Sequence, residues 1–168
     1  MIISILNCDI KYGIGKKNGL LFGLPLDMKF FRETTKGHVV AMGKNTLLSF
    51  PGSKPLKNRT NIVLCGESNE EFEGTITVHT FDEFLHKIQE IGKTETVFII
   101  GGASIYKQTL PYVDEVYLTK VNADGEAEVF FTNLDEDKNF ICYEESEPVI
   151  DNGIEIKFTK YKNLNKLY

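Results

Sequence analysis

Residues 24–31, LPLDMKFF, set one carboxylate, Asp27, inside an otherwise mostly apolar run. Pro25 suits the first position of a helix, and an acid two residues on is favoured by the free N–H groups and dipole of a first turn. That alone would account for Asp27. Its spacing allows more: Phe30 and Phe31, three and four residues on, share its helix face, and Leu24 and Thr34 lie near that side. A carboxylate turned into an aromatic, poorly hydrated pocket has its charged form disfavoured, and so becomes a candidate for binding or protonating a polar heterocycle.

Other stretches could hold an anionic ligand. In VFIIGGASIYKQTLP, an apolar strand runs through Gly101 and Gly102 into a helix, where backbone N–H groups can cradle a phosphate. The stretch lacks the third glycine and the later acid of a dinucleotide fingerprint, and by itself is equally a plain glycine turn. MGKNTLLSF repeats the arrangement, a strand ending at Gly43 and a helix opening with Lys44, Asn45 and Thr46, for which ordinary helix capping is the competing explanation. YGIGKKNGLLFGLP, residues 12–25, is glycine-rich and partly basic, and reads as a loop long enough to serve as a flap or simply as a surface connection.

The elements that must position these residues follow from periodicity. MIISIL, HVVAMG, TNIVLC, TITVH and TVFII read as strands, and LDMKFFRETT, KNTLLSF and ASIYKQTL as helices. TFDEFLHKIQEI is a helix with Thr80 and Glu83 at capping-box spacing and Phe81, Phe84, Leu85 and Ile88 on one face. The alternation implies an α/β fold with a largely parallel sheet covered on both sides. After Pro111 come strands without helices, DEVYLTKVN, NFICYEE and IEIKFTKYK, and DNG at 151–153 predicts a tight turn in a C-terminal antiparallel hairpin. ESNEEFEG and NADGEAE are acidic stretches that read as solvated connections.

The 168 residues suit one domain, 1–168, with its own core. No apolar run approaches the roughly 18–20 residues of a membrane helix, and the N-terminus lacks the features of a secretory signal, so a cytoplasmic protein is expected. The net charge of −5 argues against a general nucleic-acid binder while leaving room for a local positive pocket. Three dispersed cysteines, Cys8, Cys65 and Cys142, suggest reduced thiols, with no disulfide framework and no metal site.

Taken in order, GIGKKNGLLFGLPLDMKFFRETT, VVAMGKNTLLSF, KPLKNRTNIVLC, VFIIGGASIYKQTLP, VYLTKVNA and GIEIKFTKY resemble the dihydrofolate reductase family over nearly the whole chain. The resemblance implies a three-layer, eight-stranded, mostly parallel mixed sheet with flanking helices. It also implies hydride transfer from NADPH to C6 of 7,8-dihydrofolate with protonation at N5, giving tetrahydrofolate, in the pocket of a monomer with neither membrane nor nucleic acid as partner. By that resemblance Asp27 is the acid at the pterin, Thr119 supports it, and Ile5, Phe31, Phe50, Leu56 and Ile100 line the substrate pocket. Arg59 would grip the α-carboxylate of the substrate, which suits a guanidinium fork. Asn7, Ile14, Gly15, Ser49, Gly101, Gly102 and Tyr106 would lie by the nicotinamide and its ribose. Lys44, Asn45 and Thr46, with the amides of Ala103, Ser104 and Ile105, would receive phosphates, and Cys65, Gly66 and His79 would lie at the adenosine end.

Two departures alter the expectation. Phe22 and Leu21 stand where the family usually has tryptophan and proline, and phenylalanine has no N–H to hold a water near the substrate. Cys65, Gly66 and Glu67 replace the usual serine or arginine at the 2′-phosphate, which predicts a weaker preference for NADPH over NADH. Asn7 and Leu6 also replace small residues. Two alternatives remain: a catalytically weak module that keeps the fold for nucleotide binding or as a structural component, and a reductase of another heterocycle, which Arg59 disfavours.

Overall fold

The computed structural model describes residues 1–16, 19–66 and 69–168. The expectations for the middle of the 12–25 stretch and for Glu67 fall on residues outside these. The strands are β1 (Ile2–Cys8), β2 (Gly13–Gly15), β3 (Val39–Gly43), β4 (Thr60–Leu64), β5 (Thr75–Val78), β6 (Val97–Ile99), β7 (Glu115–Val121), β8 (Val129–Phe130), β9 (Phe140–Glu145), β10 (Val149–Asp151) and β11 (Ile154–Asn163). The α-helices are α1 (Pro25–Thr35), α2 (Lys44–Ser49), α3 (Phe81–Gly92) and α4 (Ala103–Thr109).

The main sheet runs β5-β4-β3-β6-β1-β7-β11-β10. Neighbours from β5 to β7 are parallel, and β11 turns antiparallel on β7. β9 and β10 pair with successive lengths of β11, so both share its outer edge and the mixed sheet is eight strands across. The expected C-terminal hairpin is present: Asp151 pairs with Ile154 across the turn at 152–153. One expectation is corrected. Part of the glycine-rich stretch expected as loop is a strand, β2, which pairs with β8 in a small second sheet.

The strands are apolar at nearly every position because each face is covered. Val39 and Ala41 of β3, with Val97 and Ile99 of β6, pack toward Phe84 and Ile88 of α3 and Ile105 of α4. Val40, Met42 and Phe98 alternate to the other face, with Leu47 of α2 and Phe30 and Phe31 of α1. Thr80 caps α3 as its spacing predicts, accepting from the N–H of Glu83 at 3.1 Å. The chain crosses from β1 past β6 to reach β3, and from β6 past β1 to reach β7. The direction of winding therefore reverses between β1 and β6, where open α/β sheets form a ligand crevice at their strand C-termini.

Candidate active site

Asp27 lies over the β1–β7 side of this crevice. Asn7 and Thr119 are register partners on those strands, and their side chains meet opposite ends of its carboxylate. Thr119 donates its hydroxyl to Oδ1 at 2.7 Å, and Asn7 donates Nδ2–H to Oδ2 at 2.9 Å. Burial pushes the carboxyl pKa above its ordinary value, the bonds from Asn7 and Thr119 pull it down, and the charge of Asp151 adds to the upward push.

Asp151 accounts for how α1 begins. Leu24 contributes no side-chain cap, and the N–H groups of Leu26 and Asp27 donate instead to the two oxygens of Asp151, at 3.1 and 3.0 Å. Next to it, Asn152 donates to the carbonyl of Gly23 at 2.9 Å. A turn far along the chain thus caps the helix that carries the acid.

Ile5, Phe31, Phe50, Leu56 and Ile100 fall in one apolar cluster on the α1 and α2 side of the sheet. At its outer end Arg59 is held by three acceptors: the Thr35 hydroxyl at 2.8 Å from Nε, and the carbonyls of Lys57 at 2.6 Å and Arg32 at 3.0 Å from the terminal nitrogens. These bonds leave one N–H on each terminal nitrogen. Burial and the neighbouring Arg32 charge lower the guanidinium pKa, though arginine stays protonated throughout the useful pH range. Arg32, Lys36, Lys57 and Arg59 line one cleft with a single acid, Glu33, a net positive site in a chain of net charge −5.

The other side of the crevice is built largely from backbone. α2 and α4 start at Gly43 and Gly102 without side-chain caps, so their first amides are left for another acceptor. Gly43 N–H donates to the Gly101 carbonyl at 2.9 Å, which joins the two helix starts. Gly101 has φ 127° and the Gly101–Gly102 peptide is cis. A side chain at Gly101 would approach Thr46 Oγ1 and the Tyr106 ring at 3.4 and 3.5 Å. Tyr106 is buried, with its hydroxyl donating to the Ile5 carbonyl at 2.7 Å. Gly43, Leu64 and Val78 form one row across β3, β4 and β5, so Lys44, Cys65 and His79 each follow directly at the strand ends, with Gly66 next. Lys44 is ion-paired with Glu70. Cys65 is buried, which raises its thiol pKa, and His79 Nδ1 is buried without a hydrogen-bond partner among the described residues.

Asn7, expected at the nicotinamide, spends its side chain on Asp27. Phe22 packs with Leu24, Val121 and Ile156, and its ring tip would lie 3.0 Å from a Cβ at Gly125. Ile14 packs on the α3 and α4 side of the core, and Gly15 lies against Val129 in the small sheet. Asn45 and Ser49 are exposed on α2, Ser49 donating to the Thr46 carbonyl at 2.6 Å.

Sequence reasoning missed Thr35, Asn61 and Asp151. Asn61 is buried in β4, where it accepts from Leu56 N–H at 3.0 Å and donates to the carbonyls of Leu56 and Arg59 at 2.9 and 3.2 Å, fixing the loop that carries Arg59. An amide side chain within the strand segment TNIVLC is the signal that could have found it.

Fold and site together define an open α/β protein with a two-part ligand crevice at its switch point. A family model described as dihydrofolate reductase matches residues 1–163. The chain is similar to the dihydrofolate reductase of Bacillus subtilis, 32% identical over 98% of this chain and 96% of that protein. It is also similar to the viral dihydrofolate reductase of Saimiriine herpesvirus 2, 34% identical over 96% of this chain and 84% of that one. A solved structure of Enterococcus faecalis dihydrofolate reductase complexed with NADP(H) and RAB-propyl superposes with TM-score 0.84 at 28% identity, covering 97% and 96% of the two chains. The chain belongs to the dihydrofolate reductase family.

Proposed function

We propose that this enzyme of the family, an NADPH-dependent oxidoreductase that reduces dihydrofolate to tetrahydrofolate, carries its chemistry on the crevice described above. The observation that carries the reading is the half-buried Asp27 carboxylate gripped by Thr119 and Asn7. Each carboxylate oxygen has a further lone pair, so together they accept the paired N–H donors along one edge of the pterin. The resulting negative charge beside the heterocycle favours a proton at N5, delivered through water. Ile5, Phe31, Phe50, Leu56 and Ile100 exclude solvent from the rings and the benzoyl group, and Arg59 takes the α-carboxylate.

The site has residues that fit NADPH. The uncapped amides at 103–105 and at the start of α2, with Lys44 and Thr46, would hold its phosphates. Gly101 and Gly102 would leave room for the nicotinamide, beside Ile14, Gly15 and Ser49, while Tyr106 would back the site with its hydroxyl already committed to Ile5. Cys65, Gly66 and the unpaired His79 nitrogen would meet the adenosine end. The bound cofactor supplies the hydride; the chain supplies orientation, dryness and the fixed negative charge. The rest of the reading is one domain over 1–168, a monomer in the cytoplasm without a nucleic-acid partner, supported by the acidic net charge. Among the described residues no helix is long and apolar enough to cross a membrane.

The test is dihydrofolate-dependent oxidation of NADPH by the purified protein, with Asp27→Asn alongside. An active wild type and a crippled variant support the assignment; no substrate-dependent signal in the wild type would leave the non-catalytic module as the better account.

A further inference from the structure

We infer that Asn7 is a positioning residue for the reaction, the second jaw of a clamp that fixes the Asp27 carboxylate in its orientation and in its charged form. The inference rests on the reading that Asp27 meets the substrate. Its basis is geometric. Alternation along β1 sends Ile3, Ile5 and Asn7 to the α1 side of the sheet, and the parallel register sets Asn7 beside Thr119. Asp27 comes down from α1 over that pair, and each strand supplies one donor to one oxygen, at 2.9 and 2.7 Å.

The amide orientation follows from chemistry, because an ionised carboxylate only accepts and the Asn7 carbonyl would repel it. With both oxygens tied to neighbouring strands, the carboxylate plane cannot turn about its χ2 axis, and its remaining lone pairs face a ligand in one orientation only. A hydroxyl alone, from Thr119, would leave Oδ2 free to swing. The groups acting on Asp27 come from three elements: Asn7 and Thr119 from the sheet favour the charged form, while Asp151 at the α1 start disfavours it. Tyr106 of α4, whose own titration feels Asp27, is neutral and has its hydroxyl on the Ile5 carbonyl. With burial and Asp151 both opposing ionisation, the Asn7 bond is one of the two, among the described residues, that support it.

The experiment is titration of the Asp27 carboxyl by carbon NMR in the full chain without ligands, for wild type and Asn7→Ala, with kcat/KM for dihydrofolate measured across pH. Loss of the jaw raises the Asp27 midpoint and moves the corresponding limb of the pH profile up with it. It also lowers kcat/KM at neutral pH roughly tenfold, the weight of one hydrogen bond to a charged group. Asn7→Ser, whose hydroxyl is too short to span the gap, behaves the same way and serves if Asn7→Ala does not fold. A folded variant with an unmoved midpoint and pH profile overturns the inference. Because the midpoint is read without substrate, it stands or falls separately from the assignment of the reaction, which a wild type inactive on dihydrofolate would overturn.

Discussion

The two sides of the crevice are made of different material. On the proposed substrate side, side chains do the positioning: Asp27 is gripped by Thr119 and Asn7, and Arg59 by Thr35 and two carbonyls, so both charged groups are held in place by the chain itself. On the proposed cofactor side, glycine-flanked helix starts present uncapped amides, and Lys44 is paired with an acid, Glu70. A site pre-set by side chains is sensitive to single substitutions, since one lost partner frees a buried charge. Backbone amides survive most substitutions, so the cofactor side should bend where the substrate side breaks.

The largest effect tests that difference directly. Asp27→Asn should reduce kcat by ~10²–10⁴, the usual range for losing a general acid–base function, measured as steady-state NADPH oxidation. The same variant should gain stability at neutral pH. Burial and Asp151 raise the folded-state pKa of Asp27, so its ionisation costs stability as pH rises from the unfolded value, 3.8, through the folded one. The difference in thermal midpoint between wild type and variant should therefore shrink as pH falls through that window. A gap that widened on acidification would show that Asp27 is stabilised, not strained, by its surroundings.

Arg59→Leu comes next. It should raise KM for dihydrofolate by ~10–100-fold, the worth of charge-assisted hydrogen bonds to a carboxylate, and change kcat little. Thr35→Val keeps the guanidinium but removes its Nε acceptor, so KM should rise by only about three- to tenfold, in line with one ordinary hydrogen bond. A larger effect from Thr35→Val than from Arg59→Leu would contradict the placement of Arg59 on the substrate. The smallest effect belongs to the cofactor side: Glu70→Gln frees Lys44 from a surface ion pair and should lower KM for NADPH about two- to fivefold, and less at high salt. The Lys44 pairing and the buried Cys65 thiol also favour a lower ratio of kcat/KM for NADPH over NADH than the family usually has. A ratio strongly favouring NADPH would count against that.

The same division governs what was legible in the sequence. The fold was readable because both-face burial leaves strands such as VVAM and VFI continuously apolar, and because Thr80 and the DNG turn are local signals. Asp27 was readable as a candidate from its aromatic neighbours. Its partner Thr119 came only through the family resemblance, since the two lie on elements far apart in the chain and no spacing joins them. The resemblance implies Asn7 by the nicotinamide, in the place of a smaller residue. Its turn toward Asp27 follows from β1–β7 register, which sequence periodicity does not supply. Asp151 was read as the first residue of a turn and is the last residue of β10, and nothing local shows that its carboxylate caps α1 across the molecule. The β2–β8 pairing was lost in a glycine-rich stretch because two very short strands carry too little alternation to register.

The most direct test of this account is a crystal structure of the protein with dihydrofolate and oxidised cofactor bound together. The account predicts the pterin edge on both Asp27 oxygens with the Thr119 and Asn7 hydrogen bonds intact, the α-carboxylate on Arg59, and the cofactor phosphates at the first amides of α2 and α4. A pterin that displaces Asn7 from the carboxylate, or that lies away from Asp27, would contradict it.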